Sequence, residues 1–205
     1  MSDTRKQIMD DRLLNPWRAF LIALPIALIA IGCGGRGAGA EFPLAVGRSW
    51  SYMVNSVFET SRVEEVKVLR KVPVGDVSGY ELGGPMGQSR IAWKDGVLIA
   101  QQLPNATFNP PVPMLVAGAT NANRTWKGMI GAGGRGTQAT ATLVQEPDKQ
   151  QLAGQTVQMT KSTLTVLTAG NKIELITWFQ KGEGPVRQEQ RNNDRTVVKF
   201  DSIAP

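Results

Sequence analysis

From residue 48 onward, apolar and polar positions alternate with period two over most of the chain, and helical periodicity is almost absent. Residues 48–56 place Trp50, Tyr52 and Val54 on one face. Residues 63–69 set Val63, Glu65, Lys67 and Leu69 against Glu64, Val66 and Val68. Two short apolar runs, 89–93 and 97–101, flank Lys94-Asp95-Gly96. That spacing predicts a hairpin, because Asp-Gly supplies the positive φ angles of a tight turn. Longer strands are predicted over 136–145, 155–168 and 171–180, and residues 184–190 and 195–203 complete the pattern. Within 155–168, Val157, Met159 and Lys161 share a face. The opposite face is rich in Thr and Gln, which predicts that one side meets water.

Residues 75–79 and 83–85 read as turn punctuation. Residues 103–124 carry Pro104, Pro110, Pro111 and Pro113 among Asn and Ala, so they read mostly as loop or edge. Short, regularly spaced strands with Gly and Pro turns predict an all-β or β-dominated domain. A curved antiparallel sheet or an open, incomplete β-barrel accommodates so many strands.

A different pattern precedes this domain. Residues 19–31 form an apolar run behind Arg5, Lys6, Arg12 and Arg18, and the run ends at Gly32-Cys33, the sole cysteine of the chain. A charged flank, an apolar stretch of roughly 7–15 residues and a small residue at the cleavage point make a secretory signal. With cysteine next in line, they make a lipoprotein signal. Cleavage between Gly32 and Cys33 would leave Cys33 lipidated and N-terminal. Asp3, Asp10 and Asp11 in a long first region, Pro25 in the apolar run, and Ala30 where Leu is usual depart from the ideal pattern. An uncleaved anchor wants about 20 apolar residues, more than this run supplies. An ordinary free thiol is uncommon in an exported chain.

The expected organisation is therefore a signal segment over 1–32, a flexible Gly-rich tether over 33–41 and a single β-rich domain over 42–205. Translation from Met1 or from Met9 fits equally. The expected location is outside the cytoplasm, lipid-anchored to a membrane. In a two-membrane cell, Gly34 after the cysteine is not the acidic residue of inner-membrane retention, which favours the outer membrane facing the periplasm.

Composition narrows the chemistry. The net charge is +6 and its basic residues are scattered, so the charge reads as solvated surface rather than a nucleic-acid patch. The chain has no histidine. His-based triads, His metal ligands and His proton shuttles are excluded together. With Cys33 consumed by lipid, no thiol chemistry or disulfide remains. The expectation is a protein without catalytic residues, bound metal or cofactor.

Several motifs tempt. Residues 131–136 (Gly-Ala-Gly-Gly-Arg-Gly) match G-x-G-x-x-G, but an alternating strand follows where a dinucleotide site needs a helix. A flexible hairpin loop holding Arg135 is the better account. Asn105 and Asn123 head chance glycosylation patterns. Glu64 and Glu65 are adjacent, so a strand sends them to opposite faces, against a paired-carboxylate site. Glu174, Glu183 and Glu189 have no partner that sequence identifies, and they keep open a carboxylate-based hydrolase acting on envelope polysaccharide. The apolar, proline-stiffened stretch 108–116 is the candidate ligand or partner loop, through Phe108, Val112, Met114 and Leu115. The competing reading, a cap over the open end of the core, is favoured because exposed apolar patches are rare.

Residues 42–52 (Phe-Pro-Leu-Ala-Val-Gly-Arg-Ser-Trp-Ser-Tyr) resemble the opening of a broad group of bacterial exported and lipoprotein β-domains, whose signature reads FPLxVGxxWxY. A second element of the group would fall at 116–128, here with an Asn/Ala insertion. A C-terminal turn would fall at 178–186, with Glu183 where Val is usual. The resemblance implies a β-domain and no particular activity. Read from the residues alone, Gly47 permits a bend before a strand, and Trp50 and Tyr52 bury large rings on one face. Trp50 and Trp126 also suggest two weakly related halves. The function expected from all this is a non-enzymatic binding or envelope-maintenance role. The partner is the membrane through Cys33, with either an apolar small molecule or an envelope protein.

Overall fold

The computed structural model describes residues 38–57, 60–132, 135–152 and 155–203, within the unit Cys33–Pro205. The signal segment 1–32, with Gly32, as well as Cys33 and most of the tether, lie outside the described residues. A four-residue helix, α1 (Ala38–Glu41), leads into the first strand. The strands are β1 (Ser49–Ser56), β2 (Arg62–Val74), β3 (Val77–Gly84) and β4 (Gly87–Lys94). Then come β5 (Val97–Leu103), β6 (Ala106–Val116), β7 (Ala122–Ala132) and β8 (Arg135–Leu152). The last four are β9 (Gln155–Thr168), β10 (Asn171–Gln180), β11 (Gly184–Asn192) and β12 (Arg195–Ser202).

Each strand pairs antiparallel with its neighbours in sequence, and β1 pairs with β12, so the sheet is a closed barrel. The expected all-β architecture is present, and the ring is complete rather than open. Closure rests on register between the two ends of the chain, with Tyr52 opposite Ser202 and Val54 opposite Phe200. Local alternation cannot display such a pairing. The Asp-Gly hairpin forms as its chemistry requires, with φ of 49° at Asp95 and 76° at Gly96. Gly131 of β7 lies opposite Gly136 of β8, and the strand β8 continues from there.

Most inward positions are apolar: Val68, Leu82, Ile91, Leu98, Leu143, Leu164, Val166, Val198 and Phe200 share one core. Outward positions carry charge, as in the Arg70–Glu81–Arg90 cluster across β2, β3 and β4. This is the reverse of a membrane-spanning barrel, which turns its apolar band outward. Among the described residues no helix is long and apolar enough to cross a membrane.

Two expectations are corrected. Residues 103–124 are not mostly loop, because β6 and the start of β7 occupy most of them. The prolines are tolerated because β6 pairs with β7 only across Thr107–Asn109. Beyond Asn109 that side of β6 behaves as an edge, where a missing N–H leaves no ladder bond broken. The second correction concerns β9. Its Ser162, Leu164 and Val166 face the interior, while Met159 packs with Ile176 and Trp178 in a small satellite cluster. That satellite lies on the outer face, where Arg187 stands 4.8 Å over the Trp178 ring. The tryptophan Nε1 donates to Asp148 Oδ2 at 2.6 Å. Ile176 and Trp178 thus give an outward methionine apolar neighbours away from the main core.

Candidate functional site

The barrel has two unlike ends. The chain enters at the end that also holds the β4–β5 and β10–β11 turns, and that end is plugged. Phe42 sits edge-on to Trp50 at 5.2 Å and tilted against Phe179 at 6.0 Å. Around it the indole nitrogens donate to backbone carbonyls: Trp93 to Phe42 at 3.2 Å and Trp50 to Glu183 at 2.6 Å. The backbone N–H of Gly182 donates to Ala40 at 2.6 Å. Gly184 has a φ of 95°, and a Cβ there would stand 2.6 Å from the Phe42 ring. Only glycine meets both conditions. The residues of the FPLxVGxxWxY stretch therefore build this plug and the strand behind it.

The second half of β6 fills the interior next to the plug. Having left β7, it is held by inward side chains of β8 and β9. The Ser162 hydroxyl donates to the Met114 carbonyl at 2.5 Å. The Gln145 amide accepts from Val116 N–H at 2.9 Å and donates to the carbonyls of Val116 and Ala119. Trp126 Nε1 donates to the Pro110 carbonyl at 3.0 Å. Side chains thus satisfy the backbone groups that a neighbouring strand would otherwise pair.

Above this filling lies a cavity of about 260 Å³. At the end away from the plug it is lined by the β3–β4 turn, through Pro85 and Met86, and by the adjacent β5–β6 turn, through Pro104 and Asn105. Its walls come from almost every strand. Leu82, Ile91, Leu164, Val166, Leu175 and Phe200 supply much of the apolar surface. No Asp, Glu, Lys or Arg is among the lining residues. Tyr52 reaches the wall with its hydroxyl donated to the Pro185 carbonyl at 2.6 Å, and burial raises its pKa above the ordinary tyrosine value.

Apart from Tyr52, Ser89 and Asn105, the polar lining of the cavity is gathered in one strip. Thr177 on β10 lies opposite Gln188 on β11, and Gln188 Nε2 donates to Thr177 Oγ1 at 3.1 Å. Gln190 lies two residues further along β11. The strip continues a register row that runs Gln145, Ser162, Thr177, Gln188 over β8 to β11. The first two members of the row hold β6, and the last two face the cavity.

The sequence-derived candidates divide. Phe108, Val112, Met114 and Leu115 belong to a buried strand, not to an exposed loop, because inward side chains of β7, β8 and β9 draw it into the interior. Phe108 and Met114 line the cavity, whereas Val112 and Leu115 are core residues that do not. Cys33 and Gly32 lie outside the described residues. Glu174, Glu183 and Glu189 are ion-paired, with Lys172 at 3.0 Å, Arg48 at 3.6 Å and Arg187 and Arg191 respectively, and none lines the cavity. Among the described residues no group of three acidic side chains is placed to hold a metal ion.

Thr177, Gln188 and Gln190 were not legible as site residues. In sequence they look like water-facing members of alternating strands, and only ring closure turns them inward.

No protein-family model matches this sequence, and no curated protein matches it. Solved structures do resemble it. A candidate lipoprotein from Parabacteroides distasonis has 12% identity and a TM-score of 0.45, covering 78% of this chain and 95% of its own. The hypothetical lipoprotein YmcC from Escherichia coli has 11% identity and a TM-score of 0.40, covering 79% and 89%. A candidate exported protein of YmcC-like fold from Bacteroides fragilis has 13% identity and a TM-score of 0.35, covering 78% and 96%. Similarities this distant carry no functional information about this chain.

Proposed function

We propose that this chain is an exported, lipid-anchored binding protein whose barrel holds an apolar small molecule, with no catalytic step. The observation that carries the reading is the uncharged, largely apolar cavity of about 260 Å³ that opens at one end of the barrel. An apolar cavity of about 150 Å³ already stays dry and accepts a benzene-sized guest. Small-molecule sites are concave and mostly apolar, with a few placed polar groups, and this cavity has that composition. Anchoring follows from Cys33 and the run before it, which would hold the domain on a membrane, the outer one facing the periplasm in a two-membrane cell. The plugged end is where residues 38–42 join the barrel, so the mouth lies at the end away from the tether.

The test is native mass spectrometry of the full chain taken from its own cell envelope and held in an amphipathic polymer, followed by solvent extraction. A stoichiometric apolar guest is expected. It should be lost in Leu164→Trp and in Val166→Phe, two fillings of the cavity wall, each checked for cooperative unfolding. An empty wild-type chain that also fails to retain the neutral dye N-phenyl-1-naphthylamine would sink the reading.

A further inference from the structure

We infer that the guest is a neutral single-chain amphiphile, carrying one ester, amide or hydroxyl group that the Thr177–Gln188–Gln190 strip recognises. This rests on the cavity being a binding site, and it goes further by specifying charge, number of chains and contacts.

Three observations lead to it. First, the cavity is lined without a single charged side chain, so an ionised carboxylate or phosphate drawn below the mouth would find no counter-charge. Burying an unpaired charge is far less favourable than burying a hydrogen-bonded neutral group. Second, about 260 Å³ lies below the usual 300–1,000 Å³ of small-molecule sites, which suits one chain and not two. Third, the polar strip has both hydrogen-bonding senses left. Thr177 Oγ1 accepts from Gln188, so its own O–H remains to donate. Gln188 keeps a carbonyl and a second N–H, and Gln190 adds another amide. An ester or an amide takes such donors, and a hydroxyl takes both senses.

The barrel already demonstrates the chemistry on itself. The same row of inward residues begins with Gln145 and Ser162, and those two bind β6, an extended and uncharged chain, through its carbonyl and N–H groups. Thr177 and Gln188 continue that row into the cavity. A neutral carbonyl beside an apolar chain is what the occupied half of the row holds, and the open half presents equivalent groups at the same level.

The experiment is retention of three ten-carbon probes by the full chain in amphipathic polymer: monodecanoylglycerol, decanoate at pH 8 and decane, each titrated and read by native mass spectrometry. Monodecanoylglycerol is expected to be retained about tenfold or more tightly than decanoate, the direction set by the unpaired-charge penalty. Thr177→Val combined with Gln188→Leu should remove most of the advantage of monodecanoylglycerol over decane, with monodecanoylglycerol retained more weakly than by wild type and decane at least as tightly. Thr177→Val alone, a near-isosteric change, should show a smaller loss in the same direction. Decanoate retained as tightly as monodecanoylglycerol, or a double variant that keeps the full advantage, would overturn the inference and leave the cavity reading standing. Retention of none of the three probes would overturn both.

Discussion

At the plugged end, aromatic rings fill the barrel and their polar atoms reach backbone carbonyls. At the mouth, two short turns bearing Gly84, Pro85, Gly87 and Pro104 rim an opening. Both ends are made by the same kind of strand, and they differ in what the connecting segments place across the axis. Phe42 arrives from before β1 and is locked by Gly184 at the start of β11, so two distant segments cooperate to close one end. The mouth has turns that close only their own hairpins. Large rings anchored by hydrogen bonds give a wall, and small residues in tight turns leave a passage.

The strongest way to break this contrast is Phe42→Ala. It removes a buried ring from the plug and should destabilise the chain by about 3–5 kcal/mol, the usual range for Phe→Ala in a core. Urea unfolding followed by tryptophan fluorescence measures it, and a loss below about 1 kcal/mol would show that the plug is not part of the cooperative structure. Gln145→Leu tests the inner filling. It strips partners from Val116 and Ala119 and should cost about 2–3 kcal/mol, since unsatisfied buried groups each cost roughly 1–3 kcal/mol. The same unfolding measurement reports it.

Acid sharpens the comparison on the outer wall. The hydrogen-bonded guanidinium of Arg70, joined by Arg90 and opposed by burial, holds the Glu81 carboxyl below its ordinary range. Burial would raise Glu189, yet hydrogen bonds from Arg187 and Arg191 prevail and lower it. A lowered folded-state pKa means the stabilisation is complete above the unfolded value, about 4.3 for Glu. It is lost as pH falls through the folded value. The stability difference between wild type and Glu81→Gln should therefore be present at pH 7 and shrink below pH 4.3. A difference independent of pH would refute the assignment.

The smallest stability effect is expected at the mouth. Met86 is 37% exposed on the rim, and Met86→Ala should change stability by less than about 0.5 kcal/mol. It should speed exchange of a bound dye, measured by stopped-flow displacement, because a rim side chain gates passage without supporting the fold.

Much of the architecture was legible in sequence. Trp50, Tyr52 and Val54 face inward together, and the Lys94-Asp95-Gly96 hairpin stands where its chemistry placed it. What was not legible depends on pairings between residues far apart. Residues 108–116 read as a loop because proline argues against a strand, and nothing local announces that β7 releases β6 after Asn109. The Val157–Met159–Lys161 face lies outside because Ile176 and Trp178 of β10 pack on Met159 there, which nothing local announces. The cavity strip was hidden for the same reason. Thr177, Gln188 and Gln190 are ordinary polar members of alternating strands until the ring closes around them.

That ring has a seam, and the seam sets a timetable. Trp50 donates to Glu183, and Tyr52 to Pro185, each a partner 133 residues further along the chain. β1 also waits for β12, the strand that closes the barrel. Any shorter nascent chain holds an open sheet with two unpaired borders and Phe42 without its socket. Folding must therefore finish late and all at once, through contacts of high sequence separation, which are slow to form. A chain held back during synthesis or passage across a membrane would need its borders shielded until residue 202 emerges.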